Sequence, residues 1–173
     1  IRPMLSCIAS RGPDGVGIAA DNFVVQSDSP ENVEYHRLYG RSTLGHLRLA
    51  IVGGTCGQQP FRSCNNRLTV ELNGEIYNYR ELRDQLRPLG HQFRTGTDAE
   101  VLLAAITQWG WDAMDHLNGM FAFAVWDNQE RTLTLARDHV GIKPLYYAFI
   151  PGNNEAPPAF IFGSEIKSIL ATK

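Results

Sequence analysis

The sequence has 173 residues, of which 43% are hydrophobic and 20% charged, and its formal net charge is −2. These values describe one ordinary globular domain. No basic run is present, which argues against a nucleic-acid surface, and the apolar runs are too short to span a bilayer.

The cysteines are few and scattered. Cys7, Cys56 and Cys64 form no C-x-x-C pair and have no spacing typical of a zinc site. We therefore expect free thiols in a reducing cytoplasm, with no metal site in this domain.

The first third of the chain predicts a short helix followed by strands. Met4, Leu5 and Ile8 have helical spacing within residues 1–10, and the Gly- and Pro-rich residues 11–15 end that segment. Strands are predicted at residues 16–20, 23–26, 33–39, 43–52 and 67–73.

Two helices with start signals follow. Asn78 and Glu81 resemble a capped start, and Thr97 with Glu100 forms a capping box before an apolar stripe. A short helix at 111–117, strands at 120–126, 132–136, 145–149 and 160–162, and a helical turn from Ser164 complete the chain. Many strands around a central helical pair predict an α+β fold with sheets covered by helices.

Arg48 is the first candidate functional residue. It lies in the apolar stretch 45–52, so we expect its side chain to be buried and paired. A guanidinium matches a carboxylate bidentately, and that carboxylate could belong to a substrate or to a structural ion pair. The residue alone favours the structural pair.

The dipeptide Asn73-Gly74 is the second candidate, predicted to lie where a strand ends and the chain turns towards a helix. An Asn amide and an unobstructed Gly N–H could converge on the oxyanion formed in acyl transfer. Asn-Gly is also the commonest hairpin turn, but the following residues 75–78 lead into a helix rather than a returning strand.

Three further candidates have a weaker basis. Asp98 lies in the first turn of a helix and could receive a substrate ammonium or merely stabilise its own helix. Arg137-Asp138-His139 resembles a base with an orienting acid, although packing is the better interpretation. Cys7 is a poor nucleophile because it is predicted in mid-helix without a neighbouring His or Lys.

Together, these segments resemble the class II glutamine amidotransferases, and most closely the glutaminase domain of glutamine-hydrolysing asparagine synthetases. The matching stretches follow the family's order over nearly the whole chain and include Arg11-Gly12-Pro13-Asp14, residues 45–52, Gln59-Pro60, Asn73-Gly74-Glu75-Ile76-Tyr77-Asn78, residues 97–102, residues 118–124, residues 137–147 and residues 162–167.

The resemblance implies a four-layer αββα sandwich of the N-terminal-nucleophile hydrolase type and a glutamine site. Arg48 would bind the α-carboxylate, while the backbone of Ile51 and Val52 with Glu75 and Asp98 would hold the ammonium group. Asn73 and Gly74 would stabilise the oxyanion. An N-terminal Cys, whose own α-amino group moves the proton, would attack the amide and form a thioester.

Two parts of the family pattern are not in this sequence. The family opens with Cys-Gly-Ile upstream of Arg11-Gly12-Pro13-Asp14, and a pyrophosphate loop of a C-terminal synthetase domain is missing before Lys173. We therefore interpret residues 1–173 as one amidotransferase domain without its nucleophile strand, inactive alone. The full reading frame is expected to begin Met-Cys-Gly and to continue into a domain that uses ATP and Mg.

The expected whole-protein reaction converts aspartate to asparagine with ammonia from glutamine, although the acceptor is not identified by these residues. No cofactor is expected in the amidotransferase domain itself, and a homodimer stays open. The alternatives are a non-catalytic scaffold, as in β-lactam synthetase relatives, and an amino-acid sensor. The presence of Arg48, Asn73 and Asp98 favours the enzyme.

Overall fold

The computed structural model describes residues 1–21, 23–38, 40–50, 57–153 and 157–172. Within these residues the α-helices are α1 (Arg2–Ser6), α2 (Tyr79–Leu86), α3 (Asp98–Trp109) and α4 (Ile166–Leu170). The strands are β1 (Val16–Ala20), β2 (Phe23–Ser27), β3 (Thr43–Leu47), β4 (Phe61–Arg62), β5 (Leu68–Ile76), β6 (Gly119–Asp127), β7 (Thr132–Arg137), β8 (Tyr146–Ile150) and β9 (Ala159–Gly163).

The strands form antiparallel sheets. Sheet A has the order β2-β1-β3, sheet B has the order β4-β5-β6-β7, and β8 pairs with β9. Helices α2 and α3 cover sheet B, whereas α1 packs on sheet A beside α4. The α+β class and the αββα layering predicted from the sequence are confirmed.

The largest core lies between sheet B and its two helices. Because side chains alternate between the two faces of β5, Val70 and Leu72 point towards the helices, where they pack against the apolar face of α3. Thr97 caps α3 by accepting a hydrogen bond from Glu100 N at 3.4 Å. This cap is the predicted one, but the Glu100 carboxylate accepts from Arg94 N and Thr95 N rather than from Thr97 N.

The opposite face of β5 is polar and points towards sheet A. It carries Glu71, Asn73 and Glu75, which alternate with the core residues. On sheet A, Leu47 packs with α1. Because side chains alternate along a strand, the neighbouring His46 points to the opposite face and lines the cavity. The space between the sheets therefore holds polar groups, and this layer contains the candidate site.

Three strand predictions need correction. Residues 33–39 were expected to be a strand, but Tyr35–Arg37 forms a 3₁₀ turn, which lets Val33, Tyr35 and Leu38 all pack against the same apolar cluster. Residues 43–52 were expected as one strand, yet β3 ends at Leu47. The strand predicted to end at Asn73 continues to Ile76, so Asn73-Gly74 lies inside β5.

Predictions for helix ends were less accurate than those for helix positions. The first helix was predicted over residues 1–10, but α1 ends at Ser6, leaving Cys7 exposed at its C-terminal end rather than in mid-helix. Asn78 does not cap α2 with its side chain. It bonds instead to the backbone of His116 and Asn118, which joins α2 to the start of β6.

Candidate active site

A cavity of about 460 Å³ lies between the sheets, and the predicted site residues surround it. Arg48, Asn73, Gly74, Glu75 and Asp98 all line its wall although they come from separate parts of the chain. Ile51 and Val52, the remaining two predicted substrate-binding residues, lie outside the described residues. The structure thus brings together the five predicted residues that it describes.

The backbone of Arg48 is held by Asp14 and Gly15. Arg48 N donates to Gly15 O at 2.9 Å, and Asp14 N donates to Arg48 O at 3.0 Å. The Asp14 carboxylate accepts from Ala50 N at 2.8 Å, which fixes the chain just after the arginine. Arg48 itself is only 7% exposed, so its predicted burial is confirmed.

Gly12 and Gly57 allow this close packing around Arg48. A Cβ at Gly12 would lie 2.7 Å from Arg48 N, which is too close for any side chain. A Cβ at Gly57 would lie 3.1 Å from Arg48 Nη2. The arginine is therefore enclosed by glycines at both its backbone and its guanidinium.

Asn73 presents a side-chain amide that the described protein does not use. Its Nδ2 is buried and has no hydrogen-bond partner among the described residues. Burying an amide donor without a partner is unfavourable, so such a group is expected to meet a ligand or another polar group. An acceptor placed in the cavity would satisfy it.

Gly74 permits the close contact of β5 with β6 next to this amide. It pairs with Phe121 and has φ of +143°, a value that L-residues with side chains rarely adopt. A Cβ here would lie 2.7 Å from Phe121 Cα and would clash with the carbonyl of Met120. Glycine is therefore required on steric grounds, whatever its role towards a ligand.

Gln59 positions this part of β5, and its role was not predicted from the sequence. Its Nε2 donates to Leu72 O at 3.1 Å, and its Oε1 accepts from Leu72 N at 2.6 Å. The carboxamide thus acts like a neighbouring strand at the residue before Asn73. The only sequence clue was the Gln-Pro match to the family.

Asp98 combines a structural and an electrostatic role. Its Oδ2 accepts from Ile76 N at 3.0 Å, and its Oδ1 accepts from Ala99 N at the same distance. Burial raises the pKa of Asp98, and the nearby charge of Glu75 adds to this effect, whereas the backbone hydrogen bonds oppose it. The carboxyl group links the end of β5 to the start of α3.

Two titratable groups on the cavity wall were not predicted from the sequence, and of these Glu71 is buried whereas His46 is half-buried. Burial and the neighbouring charge of Arg48 lower the pKa of His46 to about 4. Burial raises the pKa of Glu71 to about 8. The sequence clue to Glu71 was the polar residue at every second position of β5, which places Glu71, Asn73 and Glu75 on one face of the strand.

The remaining candidates do not belong to this cavity. Asp138 is buried and accepts hydrogen bonds from the backbone of Phe121, Ile142 and Lys143, whereas His139 is exposed. The packing interpretation of this motif fits these contacts. Cys7 and Cys64 are exposed, and neither lines the cavity; Cys56 lies outside the described residues.

Comparison with known proteins identifies the class to which this fold and cavity belong. A family model described as a glutamine amidotransferase domain matches residues 1–173, and the chain belongs to that family. Among solved structures, the glutamine phosphoribosylpyrophosphate amidotransferase of B. subtilis covers 98% of this chain with a TM-score of 0.78 and 26% identity. The match includes 40% of that protein.

Among curated proteins, the chain is similar to glutamine-hydrolysing asparagine synthetases. The chain is 42% identical over 171 residues to asparagine synthetase (glutamine-hydrolysing) 3 of Bacillus subtilis, covering 97% of this chain and 24% of that protein. It is 36% identical over 168 residues to putative asparagine synthetase (glutamine-hydrolysing) 1 of Methanocaldococcus jannaschii, covering 96% of this chain and 29% of that protein. The chain thus spans about a quarter of the length of these relatives.

Among the described residues, none of the helices combines the length and apolar character that crossing a bilayer requires.

Proposed function

We propose that this domain hydrolyses glutamine to glutamate and ammonia for an asparagine-synthetase-like enzyme. The observation that carries the proposal is the convergence of Arg48, Asn73, Gly74, Glu75 and Asp98 on one cavity of about 460 Å³. This volume is within the range of roughly 300–1,000 Å³ that is usual for small-molecule sites. The relatives named as glutamine-hydrolysing support the choice of substrate.

The two ends of glutamine require opposite charges. Arg48 binds the α-carboxylate through its planar guanidinium, and burial strengthens this bidentate contact. Glu75 and Asp98, together with the backbone of Ile51 and Val52, bind the ammonium group. The ammonium group stabilises the ionised carboxylate of Asp98. Glutamine binding should therefore lower the pKa of Asp98, which burial raises.

The reacting amide is placed against Asn73. As a nucleophile adds to the amide carbon, the carbonyl oxygen becomes negative and accepts hydrogen bonds from Asn73 Nδ2 and Gly74 N. The unpartnered state of Asn73 Nδ2 supports this role, since the donor does not have to break another bond first. Gln59 keeps the preceding residue fixed during the reaction.

The nucleophile is the thiolate of a cysteine that precedes Ile1 along the chain. Ile1 itself lines the cavity, so a segment before it is within reach of the site. Both β3 and β9 border the cavity, and among the described residues each pairs with one neighbouring strand, which leaves an edge for a further strand. Neither Cys7 nor Cys64 lines the cavity.

The chemical steps follow from these positions. The α-amino group of the cysteine takes the thiol proton, and the thiolate adds to the amide carbon. The resulting α-ammonium group gives that proton to the leaving nitrogen, so the tetrahedral intermediate expels ammonia and a thioester remains. Water then cleaves the thioester to glutamate and regenerates the thiol. A cytoplasmic synthetase domain that uses ATP and Mg would consume the ammonia to convert aspartate to asparagine.

An electrophilic glutamine analogue tests both the site and the nucleophile. In the full-length protein, the analogue should alkylate one cysteine upstream of Ile1 and abolish glutamate release, and excess glutamine should protect that cysteine. Peptide mass spectrometry identifies the labelled residue. Glutamate release that persists after labelling, or labelling of Cys7, Cys56 or Cys64, would contradict the proposed nucleophile.

The same assay separates the enzyme from its main alternative. A non-catalytic scaffold would release no glutamate from glutamine and would show no glutamine-protected labelling. The retained Arg48, Asn73 and Asp98 favour the enzyme, because a scaffold has no need to keep an unpartnered buried amide.

A further inference from the structure

Glu71 is a buried acid on the cavity wall that the proposed hydrolysis does not use. Its side chain is 7% exposed, and its Oε1 is buried without a hydrogen-bond partner among the described residues. Burying a polar group without a partner is unfavourable, so the position calls for a ligand or another polar group. This unsatisfied oxygen and the cavity are independent observations at the same place.

The position of Glu71 relative to Asn73 indicates which ligand it meets. The two residues lie on the same face of β5, two positions apart, which corresponds to about 6.6 Å along the strand. The residues paired with them on β6 are Ala124 and Ala122, whose small side chains lie beside the two polar groups on the cavity wall. A molecule released at Asn73 therefore has Glu71 as a neighbour.

We propose that Glu71 forms a subsite for the ammonia released from the substrate amide. This inference rests on the proposed glutamine hydrolysis, which supplies ammonia beside Asn73. The carboxyl proton transfers to ammonia, giving ammonium and carboxylate held together by N–H···O bonds, and no other bond is formed or broken. Ammonia is small enough for the cavity and can both accept the proton and donate hydrogen bonds.

The protonation state of Glu71 is consistent with this proton transfer to ammonia. Burial raises the pKa of Glu71 to about 8, so the neutral acid predominates at neutral pH. An ammonium ion beside this carboxyl group favours its ionised form, so the proton is released to ammonia when the two meet. The other titratable or charged groups that line the cavity are Arg11, His46, Arg48, Glu75, Asp98 and Lys143.

The direct test is a titration of the Glu71 carboxyl in the full-length protein by ¹³C NMR. The signal is assigned by its loss in Glu71→Gln and titrated at constant ionic strength in sodium chloride and in ammonium chloride. Ammonium should lower the midpoint by about half a pH unit or more, as expected for a cation close to a carboxyl group. Equal midpoints in the two salts would overturn the subsite.

A cation without N–H donors and an exposed carboxyl group are the controls that make the result specific. Tetramethylammonium, which cannot donate the N–H···O bonds of the proposed subsite, should give the same midpoint as sodium. Exposed Glu81, assigned with Glu81→Gln, should not respond to ammonium. A response to tetramethylammonium, or an equal response at Glu81, would show general screening and overturn the proposal.

Two further measurements keep the test decisive. If Glu71→Gln does not fold, Glu71→Asp assigns the signal through its displacement while it retains the acid. Because the titration requires no turnover, its failure rejects the ammonia subsite alone, whereas absent glutamate release in the wild-type protein rejects the glutaminase itself.

Discussion

Individual polar side chains that face inwards determine the chemistry of the layer between the sheets. Asn73, Glu71 and His46 occupy inward positions where apolar residues would give a more stable domain. The domain retains them at a cost in folding free energy, which is typical of functional positions. Substituting these residues should therefore affect activity and folding stability to different extents.

Asn73→Ala should reduce kcat for glutamine hydrolysis by about 10²–10³-fold, since it removes one oxyanion donor. KM should change little because the amide acts mainly in the transition state. Steady-state glutamate release in the full-length protein measures both constants. Asn32→Ala, at an exposed position, is the matched control. A rise in KM with unchanged kcat would contradict the oxyanion role.

Glu71 should make stability depend on pH. Its pKa is about 8 in the folded state and near 4.5 when unfolded, so between these values only the folded state keeps the proton and stability falls as pH rises. His46 has the opposite effect: its pKa falls from 6.5 to about 4 on folding, so it destabilises the fold as pH drops below 6.5. The window above pH 6.5 therefore separates the effect of Glu71 from that of His46.

From pH 6.5 to 8, the wild-type free energy of unfolding should decrease by roughly 1–2 kcal/mol more than that of Glu71→Gln. Urea denaturation at both pH values measures this difference. Parallel pH profiles for the two proteins would show that Glu71 is not a buried neutral acid.

At the scale of elements, the β5–β6 pair fixes the position of the candidate oxyanion donors. Gly74 lets the strands approach closely, while Gln59 hydrogen-bonds to the backbone of Leu72. Because Asp98 also accepts from Ile76 N, the segment from Leu72 to Ile76 is held at both ends. The site is thus built on a strand rather than on a loop, which favours precise geometry.

Gly74→Ala should destabilise the fold and abolish glutamine hydrolysis, because the added Cβ would clash across the strand pair. Gly90→Ala is a matched control, since Gly90 has φ of +97° but no atom within 4 Å of a new Cβ. We expect about 1 kcal/mol of destabilisation at Gly90, and about 1–3 kcal/mol more at Gly74. Chemical denaturation compares the two; equal losses would contradict the packing argument.

At the scale of the whole molecule, two sheets covered by helices enclose a polar layer instead of a uniform apolar core. The helix-covered side of sheet B supplies most of the packing, which leaves the opposite face available for a site. Arg48 enters this layer from just beyond β3, and Asp98 enters from the start of α3. Distant segments therefore meet because both sheets present their inner faces to the same cavity.

The sequence predicted those parts of the molecule that depend on local patterns. The α3 cap at Thr97 and the burial of Arg48 follow from neighbouring residues, and both are confirmed. The continuation of β5 beyond Asn73 was not predicted, because pairing with β6 outweighs the turn preference of Asn-Gly. The burial of Glu71 between the sheets likewise depends on tertiary packing.

The most direct test of the account compares nitrogen donors in full-length Arg48→Ala. Removing the guanidinium should lower glutamine-dependent product formation about 10²-fold or more, as expected when one partner of a buried charge pair is lost. Product formation from free ammonium should stay within about twofold of wild type, since the proposed synthetase step does not use this site.

The matched control for this measurement is Arg41→Ala, at an exposed position, which should leave both reactions unchanged. Selective loss of the glutamine-dependent reaction is the result that the account predicts for Arg48→Ala. Equal loss with glutamine and with ammonium would contradict it and would make Arg48 a structural residue.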